Sequence, residues 1–239
     1  MDSRLHTVVL DTADIAGLAS FYGRLAGLKQ HHVEDDWITM VTEQGYRLGF
    51  QLAPDHVPPQ WPDQAHPQQF HLDFQVPDLS AAVQQAIALG ARQLPGGSGT
   101  YTVLADPAGH PFCLCANDSV TGVTLADVAL DVPDAAAIAP FYAELLGMQV
   151  TYSGPEGAML AADGELPLMF QNVANYQPPR WPDPAHPQQL HLDVKVPQID
   201  AAEEAVLKLG ATKLAEPGEG NFRVYADPAG HPFCLVWDE

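Results

Sequence analysis

The chain is short of positive charge. Ten Lys and Arg residues stand against 30 Asp and Glu residues, which gives a formal net charge of −20 over 239 residues. Such a surface repels nucleic-acid phosphates and anionic lipid headgroups, so we expect neither as a partner. It would concentrate cationic ligands, or it would simply keep the protein soluble.

Long apolar runs are also missing. No segment approaches the roughly 20 apolar residues of a membrane-spanning helix, and residues 1–12 lack the basic start and apolar core of a secretion signal. A Gly-rich phosphate loop, a Cys-x-x-Cys pair and a nucleophile elbow are absent as well. We therefore expect a cytoplasmic protein that performs neither phosphoryl transfer nor nucleic-acid chemistry.

Cysteine is scarce, with Cys113, Cys115 and Cys234 as the three examples. An odd number in a chain without a secretion signal argues against a disulfide framework. Cys113 and Cys115 are two positions apart in a predicted strand, so their Cα atoms should be about 7 Å apart, too far for an easy bridge. We expect free thiols.

What the chain does have is a repeat. Residues 105–114 return unchanged as residues 226–235, an offset of 121 (226 − 105), and Trp61-Pro62-Asp63 returns 120 positions later as Trp181-Pro182-Asp183. Phe21-Tyr22 and Phe141-Tyr142 extend the match toward the start of each copy. The repeat predicts two domains, residues 1–118 and 119–239.

Each copy contains two smaller units, joined by a proline-rich connection at 53–69 or 172–189. Residue spacing in the first copy predicts strand 6–10, helix 14–27, strands 37–41 and 46–52, then strand 71–76, helix 78–90 and strands 101–105 and 110–115. The second copy repeats this pattern. Pro140 falls inside its first helix and predicts a late start or a kink there.

Strand alternation indicates which side chains face the open side of each sheet. Leu72, Phe74 and Val76 should face the covering helix, which leaves His71 and Asp73 on the other face. The same argument assigns further side chains to the open faces: Gln51, Cys113 and Cys115 in the first copy, and Gln171, His191, Asp193 and Cys234 in the second. His6 could join the first set and complete a ring of His, Gln, His and Cys.

These features resemble the vicinal oxygen chelate superfamily, the glyoxalase and bleomycin-resistance type of βαβββ module. The motifs that carry the resemblance occur in order and twice: Phe21-Tyr22 in a helix that ends at Gly27, His71-Leu72-Asp73, Gly90-Ala91, and Asp106-Pro107-Ala108-Gly109. The resemblance implies an α+β fold. Four modules would pair into two half-open, eight-stranded cups with helices outside.

The resemblance also implies where a metal would bind. Enzymes of the superfamily use a His from a first strand, a His from the next module and a Glu near the end. These places fall on His6, His71 and Cys113 in the first copy, and on Ala126, His191 and Cys234 in the second. With a Cys in place of Glu, and with the first His missing from the second copy, these residues could hold one soft divalent transition metal, such as zinc or iron, in the first domain only. The alternative is that no metal binds and that the cysteines fill space.

Other residues have two interpretations. Asp73 could orient His71 as a catalytic base, or the pair could form a hydrogen-bonding wall. Trp61 and Trp181, beside His66 and His186 in the long connections, could close over a flat ligand or pack against their own domains. His110 and His231 follow a turn glycine, and we expect them to be structural.

Our leading hypothesis is a glyoxalase-like protein that binds a small, largely apolar or aromatic organic molecule, favoured if positively charged, without a catalytic metal. Such a protein would resemble the drug-sequestering members of the superfamily. The alternative is a metal-dependent lyase, isomerase or dioxygenase that uses the first-domain site. A third hypothesis is that one domain only supports the other. We expect a monomer in which the two domains pack together.

Overall fold

The computed structural model describes residues 2–62, 66–183, 186–215 and 220–238. The chain divides into two compact units: the first contains residues 1–9 and 130–239, and the second contains residues 10–129. The unit boundaries therefore differ from the boundary between the sequence copies, because the first strand of the chain begins in the unit that holds most of the second copy. None of the described helices is both long and apolar enough to cross a membrane.

The described residues form 16 strands and four helices. In chain order these are β1 (Arg4–Thr12), α1 (Ile15–Ala26), β2 (Lys29–Val33), β3 (Trp37–Val41), β4 (Arg47–Leu52), β5 (Phe70–Val76), α2 (Leu79–Ala88), β6 (Arg92–Gln93), β7 (Tyr101–Ala105), β8 (Pro111–Ala116), β9 (Thr124–Val132), α3 (Ala135–Leu146), β10 (Gln149–Ser153), β11 (Gly157–Ala161), β12 (Leu168–Asn172), β13 (Leu190–Lys195), α4 (Ile199–Lys208), β14 (Thr212–Lys213), β15 (Phe222–Ala226) and β16 (Pro232–Val236).

The strands of one sequence copy do not all lie in the same sheet. In the second unit the order is β9-β5-β8-β7-β6, with β1-β4-β3-β2 as a separate group. In the first unit it is β1-β13-β16-β15-β14, with β9-β12-β11-β10 as a separate group. Strands β1 and β9 each continue from one unit into the other, so the chain forms two eight-stranded sheets. The predicted α+β architecture with two eight-stranded sheets is confirmed.

The strand order corrects one detail of the sequence-based interpretation. A single ring of His6, Gln51, His71 and Cys113 was expected from the first copy. Strands β1 and β4 lie in one sheet, however, and β5 and β8 lie in the other. The reason is that the first strand of the chain neighbours β13 in the first unit, and not β5.

Local signals set the ends of the first helix as predicted. The Asp14 carboxylate accepts a hydrogen bond from the Gly17 amide at 2.8 Å, which caps the start of α1. Gly27 ends the helix with φ of +67°, in the left-handed region that glycine adopts without steric cost. The helix places Tyr22 in the core, where its ring stacks on Phe50 and Phe74. This packing covers the apolar face of the sheet strands.

Two local expectations were wrong or incomplete. Helix α3 begins at Ala135 directly after its Asp134 cap and runs through Pro140, so the expected late start is wrong. Pro140 is exposed, in the second turn of the helix. The sequence analysis also missed the edge strands β2 and β10, whose residues are all exposed. Without a buried face these strands lack the apolar alternation that identifies a strand.

Candidate functional site

Two clusters of possible ligand side chains lie on the open faces of the sheets. One cluster, in the second unit, consists of His71, Asp73 and Cys113. Their possible ligand atoms lie within 4.8 Å of one another, and the same limit holds for the second cluster. The equivalent residues His191, Asp193 and Cys234 form the other cluster, in the first unit. Parallel pairing explains both, because it sets Asp73 opposite Cys113 in β5 and β8, and Asp193 opposite Cys234 in β13 and β16.

Each histidine lies between a loop amide and a carboxylate. The Gln68 Nε2 atom is 3.5 Å from His71 Nδ1, and the Gln188 Nε2 atom is 3.3 Å from His191 Nδ1. On the other side, Asp73 Oδ1 lies 3.7 Å from His71 Nε2, beyond hydrogen-bond distance. Burial lowers the pKa of His71, and the charge of Asp73 opposes this shift. His71 is therefore a neutral imidazole at physiological pH.

The sequence analysis missed these glutamines. Gln68 and Gln188 occupy the same place in a Pro-Gln-Gln segment that appears in both copies just before a central strand. Repetition of a polar pair beside the candidate histidine was the available signal. It was read only as part of a connecting loop.

Asp127 is a further site residue that the sequence analysis missed. Burial raises its pKa to about 7, and the charge of Asp73 and a hydrogen bond with Asp73 add to the effect. The Oδ1 atoms of Asp73 and Asp127 are both buried, and neither has a hydrogen-bond partner among the described residues. Two carboxyl groups thus meet on the open face, and the pKa of one of them, Asp127, is raised to about 7.

A sequence signal for Asp127 existed. In β9, Asp127 and Ala129 alternate with Val128 and Leu130, the pattern of a strand with one polar face. Comparison of the copies directed attention to Ala126 as the counterpart of His6. The side chain beside Asp73 belongs instead to the next residue along the chain.

The two thiols of the second unit are not activated. Burial, then the charge of Asp73, raises the pKa of Cys113 far above its ordinary value, and a hydrogen bond with Asp73 contributes. Burial and Asp73 likewise raise the pKa of Cys115 to about 12. Both side chains are therefore protonated thiols at neutral pH. A thiol in that state is a poor nucleophile.

Apolar side chains complete the open face of the second unit. Trp61 and Cys115 pack against a buried cluster made by Leu94, Val103, Ala105 and Cys113. The Trp61 ring also lies close to Gly96, where an added Cβ would come within 2.9 Å of it. Trp61 therefore packs against its own unit, on the same face as the His71 cluster, as one of the two interpretations expected.

The remaining candidates lie elsewhere in the fold. Gln171 donates to the Asp131 carboxylate at 3.4 Å in the first unit, and Gln51 pairs with Trp37 across β3 and β4. Trp181 is half-buried. His6 lies in the first unit with its Nδ1 atom 2.9 Å from the Thr7 hydroxyl, and it does not belong to either of the three-residue clusters found among the described residues.

The two clusters differ in charge. In the repeat, Asp127 corresponds to Thr7 and Lys195 corresponds to Gln75, each 120 positions apart. Thr7 is buried, and Lys195 forms an ion pair with Asp238. The second unit therefore has a carboxyl group at Asp127 where the first unit has the Thr7 hydroxyl, and a neutral Gln75 where the first unit has Lys195.

The three donors of the second unit also fit a metal ion. Imidazole, thiol and carboxylate are all zinc ligands, and Zn²⁺ binding would deprotonate the Cys113 thiol. The unpartnered Asp73 Oδ1 atom offers a lone pair to such an ion. The set fits a soft or borderline cation better than Mg²⁺ or Ca²⁺, which take oxygen ligands.

Comparison with known proteins places this geometry in a family. Residues 7–115 and 127–236 each match the glyoxalase-like domain, so the chain belongs to the glyoxalase-like family, with two copies of the domain. No curated protein sequence matches the chain.

Solved structures show the same fold. Glyoxalase I from Zea mays aligns with a TM-score of 0.67 and 18% identity over 98% of this chain and 92% of that chain. Its E144Q mutant aligns with a TM-score of 0.66 and 20% identity, over 98% and 94% of the two chains. A Bacillus subtilis structure aligns with a TM-score of 0.64 and 11% identity, over 98% and 85%.

Proposed function

We propose that the protein binds a small organic cation with an apolar or aromatic body on the open face of the second unit. The observation that carries the proposal is the contact between Asp73 and Asp127, two carboxyl groups with buried, unpartnered Oδ1 atoms. A positive group beside them would offset their repulsion.

The surroundings of the carboxyl pair suit the rest of such a ligand. Trp61, Leu94 and Val103 belong to one apolar cluster that includes Cys113, the neighbour of Asp73 across the strands. An aromatic ring such as that of Trp61 contributes large contact area and attracts cations to its face. The formal net charge of −20 raises the local concentration of cations around the protein.

The state of the site favours binding over turnover. Both thiols are protonated at neutral pH because burial raises their pKa values. His71 is neutral and more than 3.5 Å from the nearest carboxylate oxygen of Asp73. Since neither thiol is activated, covalent catalysis through Cys113 or Cys115 is disfavoured. We infer reversible retention of the ligand, as in sequestration.

Calorimetric titration with benzyltrimethylammonium tests the proposal, with benzyl alcohol as the neutral comparison. We expect the cation to bind with one equivalent at pH 8, and Asp127→Asn to weaken it at least tenfold. Asp118→Asn, at an exposed position, removes the same formal charge and should leave the affinity within twofold. Equal affinity for the alcohol, or an unchanged affinity in Asp127→Asn, would overturn the proposal.

A metal-dependent enzyme is the second candidate, and the convergence of His71, Asp73 and Cys113 within 4.8 Å favours it. A divalent ion held there would supply Lewis-acid polarisation of a substrate oxygen. Asp127, whose pKa is raised to about 7, can accept a proton at its carboxyl group and return it near neutral pH. The carboxyl group of Asp127 lies beside that of Asp73, a member of the donor set.

Metal analysis of the purified protein separates the two candidates. One tightly held equivalent of transition metal that His71→Ala removes would support the enzyme and contradict a metal-free binding protein. Organic-cation binding that survives exhaustive chelation would support the binding protein. The matched variant His191→Ala reports whether any metal belongs to the first unit instead.

A further inference from the structure

Two imidazole rings lie side by side in the second unit, apart from the His71 cluster. The ring centroids of His56 and His110 are 4.9 Å apart and the rings are tilted by 52°. His56 belongs to the proline-rich connection after β4, and His110 ends the turn before β8. His110 is fully buried and His56 is partly buried.

Hydrogen bonds define which nitrogen of His110 carries the proton. The Asp106 carboxylate accepts hydrogen bonds from the amides of Ala108 and His110, each at 2.9 Å, and from the Tyr22 hydroxyl at 2.9 Å. His110 Nδ1 lies 3.0 Å from the same carboxylate, so it must be a donor. The lone pair of His110 is therefore on Nε2, which has no hydrogen-bond partner in the described part of the chain.

Hydrogen bonding also places the proton of His56. Its Nε2 atom is 3.0 Å from the carbonyl oxygen of Ala108, which can only accept, so Nε2 carries the proton. The lone pair lies on Nδ1, which is also buried and unpartnered within the described ranges. Burial and the neighbouring His110 lower the pKa of His56 to about 4. In its neutral form each ring thus offers an unpartnered lone pair within the described ranges.

The second copy of the domain has a tyrosine and a histidine where the first copy has this pair of histidines. Tyr176 takes the position of His56, and its hydroxyl lies 3.0 Å from Nε2 of His231, the counterpart of His110. His231 Nε2 also lies 2.7 Å from the Asp131 carbonyl oxygen, which can only accept, so in that copy the nitrogen carries a proton. In the first copy the His56 imidazole replaces the hydroxyl, and neither His56 Nδ1 nor His110 Nε2 has a hydrogen-bond partner among the described residues. A buried acceptor without a partner is unfavourable, and an electron-pair acceptor that reached both nitrogens would give each of them a partner.

We propose that His56 Nδ1 and His110 Nε2 bind a divalent transition-metal ion of the kind that prefers imidazole, such as Zn²⁺, Ni²⁺ or Cu²⁺. Histidines that bind metals donate their other N–H to a carboxylate or a backbone carbonyl, and Asp106 and Ala108 provide these two acceptors here. Imidazole is the preferred nitrogen ligand of these ions. Water would complete the coordination.

The experiment needs a background without the other donor clusters. In the His71→Ala/His191→Ala variant, both three-residue clusters of the described residues lose their imidazole. Chelator-stripped protein of this variant is titrated with Zn²⁺ by calorimetry at pH 7.5, with circular dichroism to verify folding. We expect one equivalent to bind. Adding His56→Tyr, the residue of the second copy, should abolish that equivalent while its hydroxyl replaces the missing partner of His110.

Two results overturn the proposal: no binding in the background variant, or binding that His56→Tyr leaves unchanged. Imidazole ¹⁵N NMR of the background variant gives a second measurement that does not depend on the folding of His56→Tyr. On addition of Zn²⁺, the resonances of His56 Nδ1 and His110 Nε2 should shift, whereas those of His31 and His32, exposed on β2, should not. Shifts confined to other histidines would mean adventitious binding only.

Discussion

The carboxyl group of Asp127, in β9, lies beside that of Asp73, in the neighbouring strand β5. Neither strand could provide this arrangement alone. Burial and the charge of Asp73 raise the pKa of Asp127 to about 7, because two adjacent carboxylates in a poorly solvated place repel each other. Because of this pair, we expect both the stability of the protein and its affinity for cations to depend on pH.

The stability of the protein should depend on Asp127. Its pKa in the folded state is raised from 3.8 to about 7, so stability is lost as the pH rises through this interval. Asp127→Asn removes the penalty and should stabilise the protein by roughly 2–4 kcal/mol at pH 8, with little effect at pH 4. Urea unfolding at both pH values measures this. A gain of equal size at both would show that ionisation of Asp127 is not the cause.

Binding of an organic cation should strengthen as the pH rises from 6 to 8. Ionisation of Asp127 adds a negative charge beside Asp73 across this range. We expect the affinity for benzyltrimethylammonium to rise about tenfold, the equivalent of about 1.4 kcal/mol. Calorimetry of the wild type and Asp127→Asn measures it. A pH dependence that persists in Asp127→Asn would assign the effect to another group.

The thiols of the second unit should resist alkylation in the folded state. The raised pKa of Cys115, about 12, leaves only about one thiolate in ten thousand at pH 8. Mass spectrometry after iodoacetamide treatment should show neither Cys113 nor Cys115 modified within an hour, and complete modification in urea. Rapid labelling of the folded protein at either thiol would contradict the environment described for these side chains.

The tyrosine that anchors the turn before β8 should contribute to stability. Tyr22 donates a hydrogen bond to the buried Asp106 carboxylate at 2.9 Å. Tyr22→Phe removes the donor and should destabilise the protein by about 1.5–3 kcal/mol, as expected for a hydrogen bond to a charged group. Tyr101→Phe, at an exposed position, is the control. Equal melting temperatures for Tyr22→Phe and Tyr101→Phe would refute the prediction.

Close packing at a turn glycine should be detectable by a matched pair of variants. Gly109 has φ of +97°, and an added Cβ would come within 2.7 Å of Pro58 Cβ. Gly45 has φ of +93° with nothing within 4 Å of an added Cβ. Gly109→Ala should therefore cost about 1–3 kcal/mol more than Gly45→Ala, the usual cost of overpacking. Equal losses in denaturant unfolding would show that only the backbone conformation matters.

Local sequence signals predicted the parts of the fold that depend on neighbours in the chain. Asp14 and Gly27 mark the ends of α1 because a cap needs only a side-chain acceptor and a left-handed residue at the right places. Edge strands such as β2 could not be predicted, since both of their faces are exposed. Helix α3 runs through Pro140 because the packing of its buried residues outweighs the local cost of proline.

The sequence by itself determined that His71, Asp73 and Cys113 share a face, since side chains alternate along strands and the repeat shows the same pattern twice. Only the tertiary structure decided that Asp127 joins them, because the neighbour of β5 is chosen by packing between distant modules, which no local pattern encodes. The raised pKa of Asp127 is likewise a tertiary property, because it depends on burial and on the charge of Asp73, a residue 54 positions away in the chain (127 − 73).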